Sequence, residues 1–431
     1  MEAAEHIELP QKRKSRRESL RLVYIGLILF MVEYYVRPDW WIPGLVGFPL
    51  LKTISLLILL AVVFSSSHIQ WRIPREVIFL GLLMVQLWLA VVFSPVWRGG
   101  PFKVMQEFSQ VFPLIVIIYW TVQSMKRLRW ILFVQAASVA AIAIVSIVNA
   151  HAPGGRLEGV ISGMYGNSND FALLIDISVP LCLAFAFTTK SSLEKLLWTF
   201  GILAMIYAVF LTASRGGALA LLVAGLVCLW QLGVKGRRFY LFLVLPIVVI
   251  VMWLYSGNAL RQRFSQTSVD PANNNSRTEA SESAEGRKEL LFRSLKVSAQ
   301  HPLFGIGPGN FAVVSGNWHV AHNSYTQMSA EGGIPAFCLY IFIFWRAIAN
   351  LRKIRKYRKT LKNSRLFAMA LEASLAAYLV GSFFDSLTYQ LFPYYLIAYT
   401  SALRRIAQQD VIAYRQAPYP DTSSQPIEVT A

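Results

Sequence analysis

Residues 196–233 read LLWTFGILAMIYAVFLTASRGGALALLVAGLVCLWQLG, two apolar blocks joined by TASRGG, and Arg215 is the single charged side chain among them. Each block has the length of a helix that crosses roughly 30 Å of hydrocarbon. The hairpin between them is too short to carry its arginine away, so the guanidinium stays at the boundary between hydrocarbon and water. Blocks of the same kind recur at 22–36, 47–66, 76–94, 108–122, 130–149, 169–187, 239–256, 334–350, 367–386 and 391–404. An ordinary soluble domain is roughly 25% charged. Here 15% of the 431 residues are charged and 55% are hydrophobic, which excludes a cytosolic enzyme. The reading is an all-α polytopic membrane protein of about twelve transmembrane helices.

The net charge of +18 would suggest a nucleic-acid partner if it covered one folded surface. The basic residues fall instead in short runs between apolar blocks, such as Gln11–Arg21 (QKRKSRRESLR), Lys126/Arg127/Arg129, Lys235/Arg237/Arg238 and Arg346–Arg365. That is a topology signal, and alternate connections carry it, which places both termini in the cytoplasm. The basic run before the first apolar block has no small-residue cleavage site after it, so the block is read as a retained span. The resulting organisation is a cytoplasmic tail over 1–21, nine spans within 22–256, a long outer loop over 257–333, three spans within 334–405 and a disordered cytoplasmic tail over 406–431. Within the loop, residues 265–286 (SQTSVDPANNNSRTEASESAEG) read as a polar, flexible insert. Glu289–Gln300 reads as a helix lying near the membrane, with Leu291, Leu295 and Ser298 on one face and apolar Leu290, Phe292 and Val297 alongside. His301–Phe311 (HPLFGIGPGNF), broken by three glycines and two prolines, reads as an ordered non-helical turn. Cys182, Cys228 and Cys338 lie inside apolar blocks without a partner at metal spacing, so neither a disulfide framework nor a zinc site is expected.

Under this topology the polar residues with chemical potential gather on the outer side. Arg156 lies in GGRLEG after the fifth span, and Asn167, Asn169 and Asp170 (GNSNDFA) open the sixth. Arg287 (EGRKELL) starts the loop helix, and His322 and Asn323 (AHNSYTQMSAEGG) precede the tenth span, with Tyr325 and Glu331 just beyond. Arg215 is read either as an interfacial snorkelling residue or as an anion clamp, since a planar guanidinium binds phosphate bidentately. Gly216 and Gly217 would let a ligand approach the backbone. His322 is the strongest proton-transfer candidate. Ser324 with Gln327 resembles a capping box, which sets His322 just before a helix N-terminus, where the ring stays neutral and able to accept a proton. A metal site from His319 and His322 is the weaker alternative, since no cysteine and few carboxylates accompany them on that side. Asp176, two turns inside the sixth span, is a functional candidate by depth alone. Trp40/Trp41 and Trp97/Arg98 read as interfacial anchors.

SRGG after one span, GNSNDFA opening another, PLFGIGPGNF, and HNSYTQMSAEGG leading into a late span together resemble the O-antigen ligase and polymerase family of bacterial envelope enzymes. The resemblance covers roughly residues 150–390, and GNSND departs from it at Ser168, where proline is common. It implies a GT-C-like membrane glycosyltransferase of the bacterial inner membrane. Such an enzyme moves a glycan from an undecaprenyl diphosphate carrier, at the periplasmic face, to a hydroxyl of a lipid A core acceptor (ligase) or of another lipid-linked glycan (polymerase). Arg215, Arg287 and His322 map onto the family's essential arginines and loop histidine, and Arg156 onto a further basic position. The diphosphate would be held by Arg215, Arg287 and Arg156, with Asn167, Asn169, Asn323, Tyr325 and Glu331 in support. The expected mechanism is a single inverting displacement with no metal and no cofactor. The rival from another class is a polysaccharide-lipid transporter with Asp176 as its coupling group. Paired broken helices and repeat symmetry, which transporters usually show, are not legible here.

Overall fold

The computed structural model describes residues 20–69, 73–149, 156–161, 165–234, a few positions between 239 and 250, 279–316, 318–356 and 362–416. More than half of the expected span 239–256 lies outside the described residues, and all of residues 1–19, 257–278 and 417–431 do. The described elements are helices joined by turns: α1 (Arg21–Val36), α2 (Pro38–Trp41), α3 (Leu50–Phe64), α4 (Arg75–Val92), α5 (Gly99–Phe108), α6 (Val111–Thr121), α7 (Met125–Asn149), α8 (Ser168–Thr188), α9 (Ser192–Leu211), α10 (Arg215–Cys228, continued as a π-turn over Leu229–Val234), α11 (Glu279–Gln300), α12 (Phe311–Val314), α13 (Ser324–Lys356), α14 (Lys362–Gly381) and α15 (Phe392–Gln416). Helix is the physically required form for these apolar blocks, because a backbone in hydrocarbon must satisfy its own N–H and C=O groups.

Eight described helical segments are long and apolar enough to cross a membrane: 75–92, 99–121, 125–149, 168–188, 192–211, 215–234, 324–355 and 363–381. The chain is a polytopic all-α membrane protein. Three other expected spans are also helices, α1, α3 and α15.

Several boundaries differ from those read in the sequence. The span expected from 108 begins at Gly99 and is interrupted at Ser109–Gln110. The span expected from 334 begins at Ser324 and bends at Gly333, whose φ of 81° and ψ of 171° break the helix. The last helix continues past 405 to Gln416, because Ile406, Ala407 and Val411 extend its buried stripe. The loop helix starts at Glu279, so Arg287 sits within it and not at its start.

Helices α8 and α14 form the middle of the bundle, each with 72% of its apolar window buried. Glycine lets them pack closely on their neighbours: a Cβ on Gly217 would stand 2.6 Å from the Ala172 side chain. Polar pairs stitch the interior, including Ser374 Oγ donating to the Ile177 carbonyl (2.6 Å) and the Tyr340 and Tyr378 hydroxyls 2.5 Å apart. At the end of the bundle remote from the outer loop, buried Glu76 accepts from Asn350 Nδ2 (2.6 Å) and pairs with Arg346 (3.3 Å) and Arg404 (3.8 Å). Glu372 pairs there with Arg355 (2.8 Å) and Arg352 (3.4 Å). Part of the positive charge read as a topology signal thus also ties α4, α13, α14 and α15 together.

Candidate functional site

The opposite end is where the chemistry-bearing residues meet. The α9–α10 hairpin turns through Thr212 and Ala213, the latter in the left-handed region (φ 50°), and Ser214 caps α10 by accepting from the Gly217 N–H. Arg215 therefore occupies the first position of α10, half-buried. Its two glycine neighbours are used by the protein itself. A Cβ on Gly216 would stand 2.8 Å from Phe384 Cβ, so the glycines admit the 382–386 turn and α8, and not only a ligand.

Asn167 caps α8, its side chain accepting from the Asn169 N–H (2.8 Å). Asn169 Oδ1 in turn accepts from Arg156 Nη2 (3.0 Å), while Arg156 Nε donates to the Thr212 carbonyl (2.9 Å). Arg156 thus braces the hairpin against the start of α8. The sequence marks Ser324 as the cap of α13, but Asn323 holds that place, its Oδ1 accepting from the N–H groups of Tyr325 and Thr326 (both 3.0 Å). Ser324 instead binds the 382–388 turn, donating to the Asp385 carbonyl (2.7 Å) and accepting from the Leu387 N–H (2.9 Å). Tyr325 donates to the Leu379 carbonyl (2.5 Å). These bonds fix the end of α14 against the start of α13 and set Asp385 beside His322.

The glycine-rich turn is ordered and non-helical. Gly305, Gly307 and Gly309 all have positive φ. Ile306 and Gly307 donate from their backbones to the carbonyls of Ala330 and Glu331 (both 2.9 Å). A Cβ on Gly305 would lie 2.5 Å from the Glu331 backbone, so this approach needs glycine. The buried Glu331 carboxylate accepts from the N–H of Phe311 (3.1 Å) and also binds Gly309, Gln327 and Tyr389. It pins the turn to α13.

Between α8, the α9–α10 hairpin, the loop helix and the 381–385 turn lies a small cleft lined by Asn169, Leu173, Ser214, Gly216, Gly217, Arg287, Gly381, Phe384 and Asp385. His322 stands next to it, half-buried and with left-handed backbone (φ 50°). Its Nδ1 is buried without a hydrogen-bond partner among the described residues. Burial, then the Arg287 guanidinium, and more weakly His319, lower its proton affinity below that of an ordinary histidine, while Asp385 opposes them. The ring is consequently neutral at physiological pH and competent to accept a proton.

Of the residues singled out in the sequence, Asn169 and Arg287 line the cleft, His322 adjoins it through Arg287, and Arg215 lies between lining residues Ser214 and Gly216. Asn167 and Asn323 sit at helix N-termini, and Tyr325 and Glu331 hold the surrounding turns. Asp176 is fully buried two turns further along α8 and is not part of the cleft. Asp385 carries no motif signal, yet one side of the cleft is built on it, with its Oδ1 accepting from the Ser386 N–H (2.8 Å) and its carboxyl group meeting that of Asp170. Only its position among late-span residues of the same end was readable. Among the described residues no three His, Cys, Asp or Glu side chains converge as metal ligands.

No curated protein matches the chain. Residues 200–341 match a family described as O-antigen ligase. Arg215, Arg287, the glycine-rich turn and His322 all fall inside this segment, and the matched family is the one that the chain's motifs resemble.

Proposed function

We propose that this protein is an O-antigen ligase-type glycosyltransferase. It moves a glycan from undecaprenyl diphosphate to a hydroxyl of a lipid A core acceptor at the periplasmic face of the bacterial inner membrane. The observation that carries the reading is the meeting of Arg287, Asn169 and the α10 N-terminus in one cleft beside a histidine whose proton affinity is lowered.

The chemistry follows from charge. The acceptor oxygen attacks the anomeric carbon as the bond to the diphosphate oxygen breaks, and the configuration inverts. The diphosphate, which already carries two negative charges as a diester, takes on one more as it leaves. Guanidinium groups present their N–H donors in a geometry that matches phosphate oxygens, and Arg287 and Arg215 supply them at the cleft, with the α10 N-terminus adding a favourable dipole. Fixed donors of this kind stabilise developing charge without reorganising in the transition state. Neutral His322 takes the acceptor proton, and the guanidinium beside it opposes premature protonation. No nucleotide is needed, because the carrier-phosphate bond is itself the energy source, and the mechanism is expected to proceed without metal.

The test is transfer in reconstituted membranes from an undecaprenyl-diphosphate-linked oligosaccharide to a lipid A core acceptor, with EDTA present. Glycan on the core, abolished by His322→Ala and Arg215→Ala, supports the proposal. Lengthening of the carrier-linked glycan without core product would replace ligase by polymerase at the same site. Full activity in both variants would refute the site.

A further inference from the structure

The loop helix α11 presents three faces, and only two of them have a partner. Ser294 and Ser298 are buried, and Leu290 and Val297 pack with Ile306, Phe311, Ala321 and Ala330. Of the residues read from the sequence, Ser298, Leu290 and Val297 lie on this side, whereas Leu295 and Phe292 do not. At about 100° per residue, Leu295, Lys288, Ala299 and Phe292 fall together in an arc of about 60° beside the buried face. Lys296, Glu289, Gln300 and Arg293 fill the next arc of about 60°, which suits water. Apart from Lys288 the middle arc is apolar, and it is uncovered: Phe292 is 60% exposed and Leu295 47%.

The end of this helix is tied to a transmembrane span at a definite depth. Gln86 Nε2 donates to the carbonyls of Leu303 (2.7 Å) and Gly332 (3.0 Å). Gln86 lies about 9 Å along the axis from the end of α4 at Val92. Just past that end, Phe93 stacks on Phe304, centroids 4.7 Å apart. The outward stripe of α4, which includes Val85, Leu89 and Val92, is exposed and apolar as a lipid-facing helix must be. Leu303, 64% exposed, continues that stripe toward α11.

We propose that α11 lies in the membrane interface on the site's side of the bilayer, with Phe292, Leu295 and Ala299 inserted among the lipids and Lys288 and Lys296 at headgroup level. A helix with an exposed apolar arc bordered by charged residues is the form that lies in an interface, and a lysine within the arc, as Lys288 is, can snorkel its ammonium to headgroup level. Its continuity with the lipid-facing surface of α4 selects lipid over a protein partner. The consequence for the site is positional. Arg287, one turn before Leu291 on the same helix, is held at the height where the diphosphate of a membrane-anchored carrier resides. That consequence rests on the function proposed above, whereas the insertion does not.

The experiment places single cysteines at 289, 292, 293, 295 and 299 in a Cys182/Cys228/Cys338-free protein, labels them with an environment-sensitive fluorophore, and reconstitutes the chain in phosphatidylethanolamine–phosphatidylglycerol nanodiscs. Blue-shifted emission quenched by doxyl-labelled lipid at 292, 295 and 299, but not at 289 and 293, is expected. Water-like emission at all five positions overturns the proposal. Blue-shifted emission that doxyl lipid does not quench also overturns it, because the face is then covered by protein. A failure of the glycan-transfer assay would leave the insertion profile intact and would strike only the function.

Discussion

His322 combines three features in one residue: a left-handed backbone, a buried Nδ1 without a partner, and an arginine for a neighbour. For a general base the neutral ring is the active form. Because its proton affinity is lowered, that form persists below pH 6.5, the value of an ordinary histidine. kcat/KM is expected to rise with pH on a limb whose midpoint lies below 6.5 and to be flat above it. Asp385 opposes the lowering, so Asp385→Asn should move the limb to still lower pH, while residual activity of Arg287→Gln should show it moved up. A limb that stays in place in both variants would detach His322 from these neighbours. His322→Ala should cost kcat on the order of 10² to 10⁴-fold, the range for losing a general base. Arg287→Lys should cost more than a conservative exchange suggests, since the ammonium cannot reproduce a bidentate fork.

The elements around the site are held by caps and by one close-packed turn. Asn323 satisfies two of the orphan N–H groups of α13, and Asn323→Ala should destabilise by about 1 kcal/mol, read as a lowered unfolding midpoint in detergent. Gly305 is a more severe case. Its φ of 65° suits glycine, and an added Cβ meets the Glu331 backbone, which cannot retreat because it belongs to α13. Gly305→Ala should therefore cost roughly 1–3 kcal/mol and loosen the turn from α13, seen as faster hydrogen exchange at Ile306 and Gly307. The loop helix was legible as a helix from its periodicity. Its buried face was not, because serines at 294 and 298 occupy it while two large apolar residues face outward. The period says that a helix has faces, and only the surroundings say which solvent each face meets.

Across the whole molecule, the two ends of the bundle do different work. The site end carries neutral caps, three arginines and carboxyl groups around a cleft, and the other end carries buried acid–base clusters. Glu76 is 2% exposed and joins α4 to α13 and α15 through Asn350, Arg346 and Arg404. Removing one partner leaves buried charge uncompensated, so Glu76→Ala should destabilise by about 3 kcal/mol without altering the pH dependence of transfer. Loss of activity by Glu76→Ala at temperatures where the protein is fully folded would contradict this purely structural role.

What the sequence by itself determined is the class: apolar blocks of membrane-spanning length, short connections with a charge bias, and four motifs that resemble those of one family. These are local or periodic signals, so they survive without knowledge of neighbours. Helix ends were read less well, because Gly99, Ser324 and Gln416 are set by contacts that local composition does not report. The arginines and the histidine were legible as chemical types at one membrane depth. The tertiary structure decided which of them meet: Arg287 beside His322, Arg156 spent on bracing Thr212 and Asn169, and Asp176 left two turns away. It alone brought in Asp385, more than sixty residues from His322 in the chain. Proximity across such separations depends on how α8, α10, α13 and α14 pack, and close packing through Gly216, Gly217 and Gly381 is a property of pairs of surfaces that no single stretch of sequence contains.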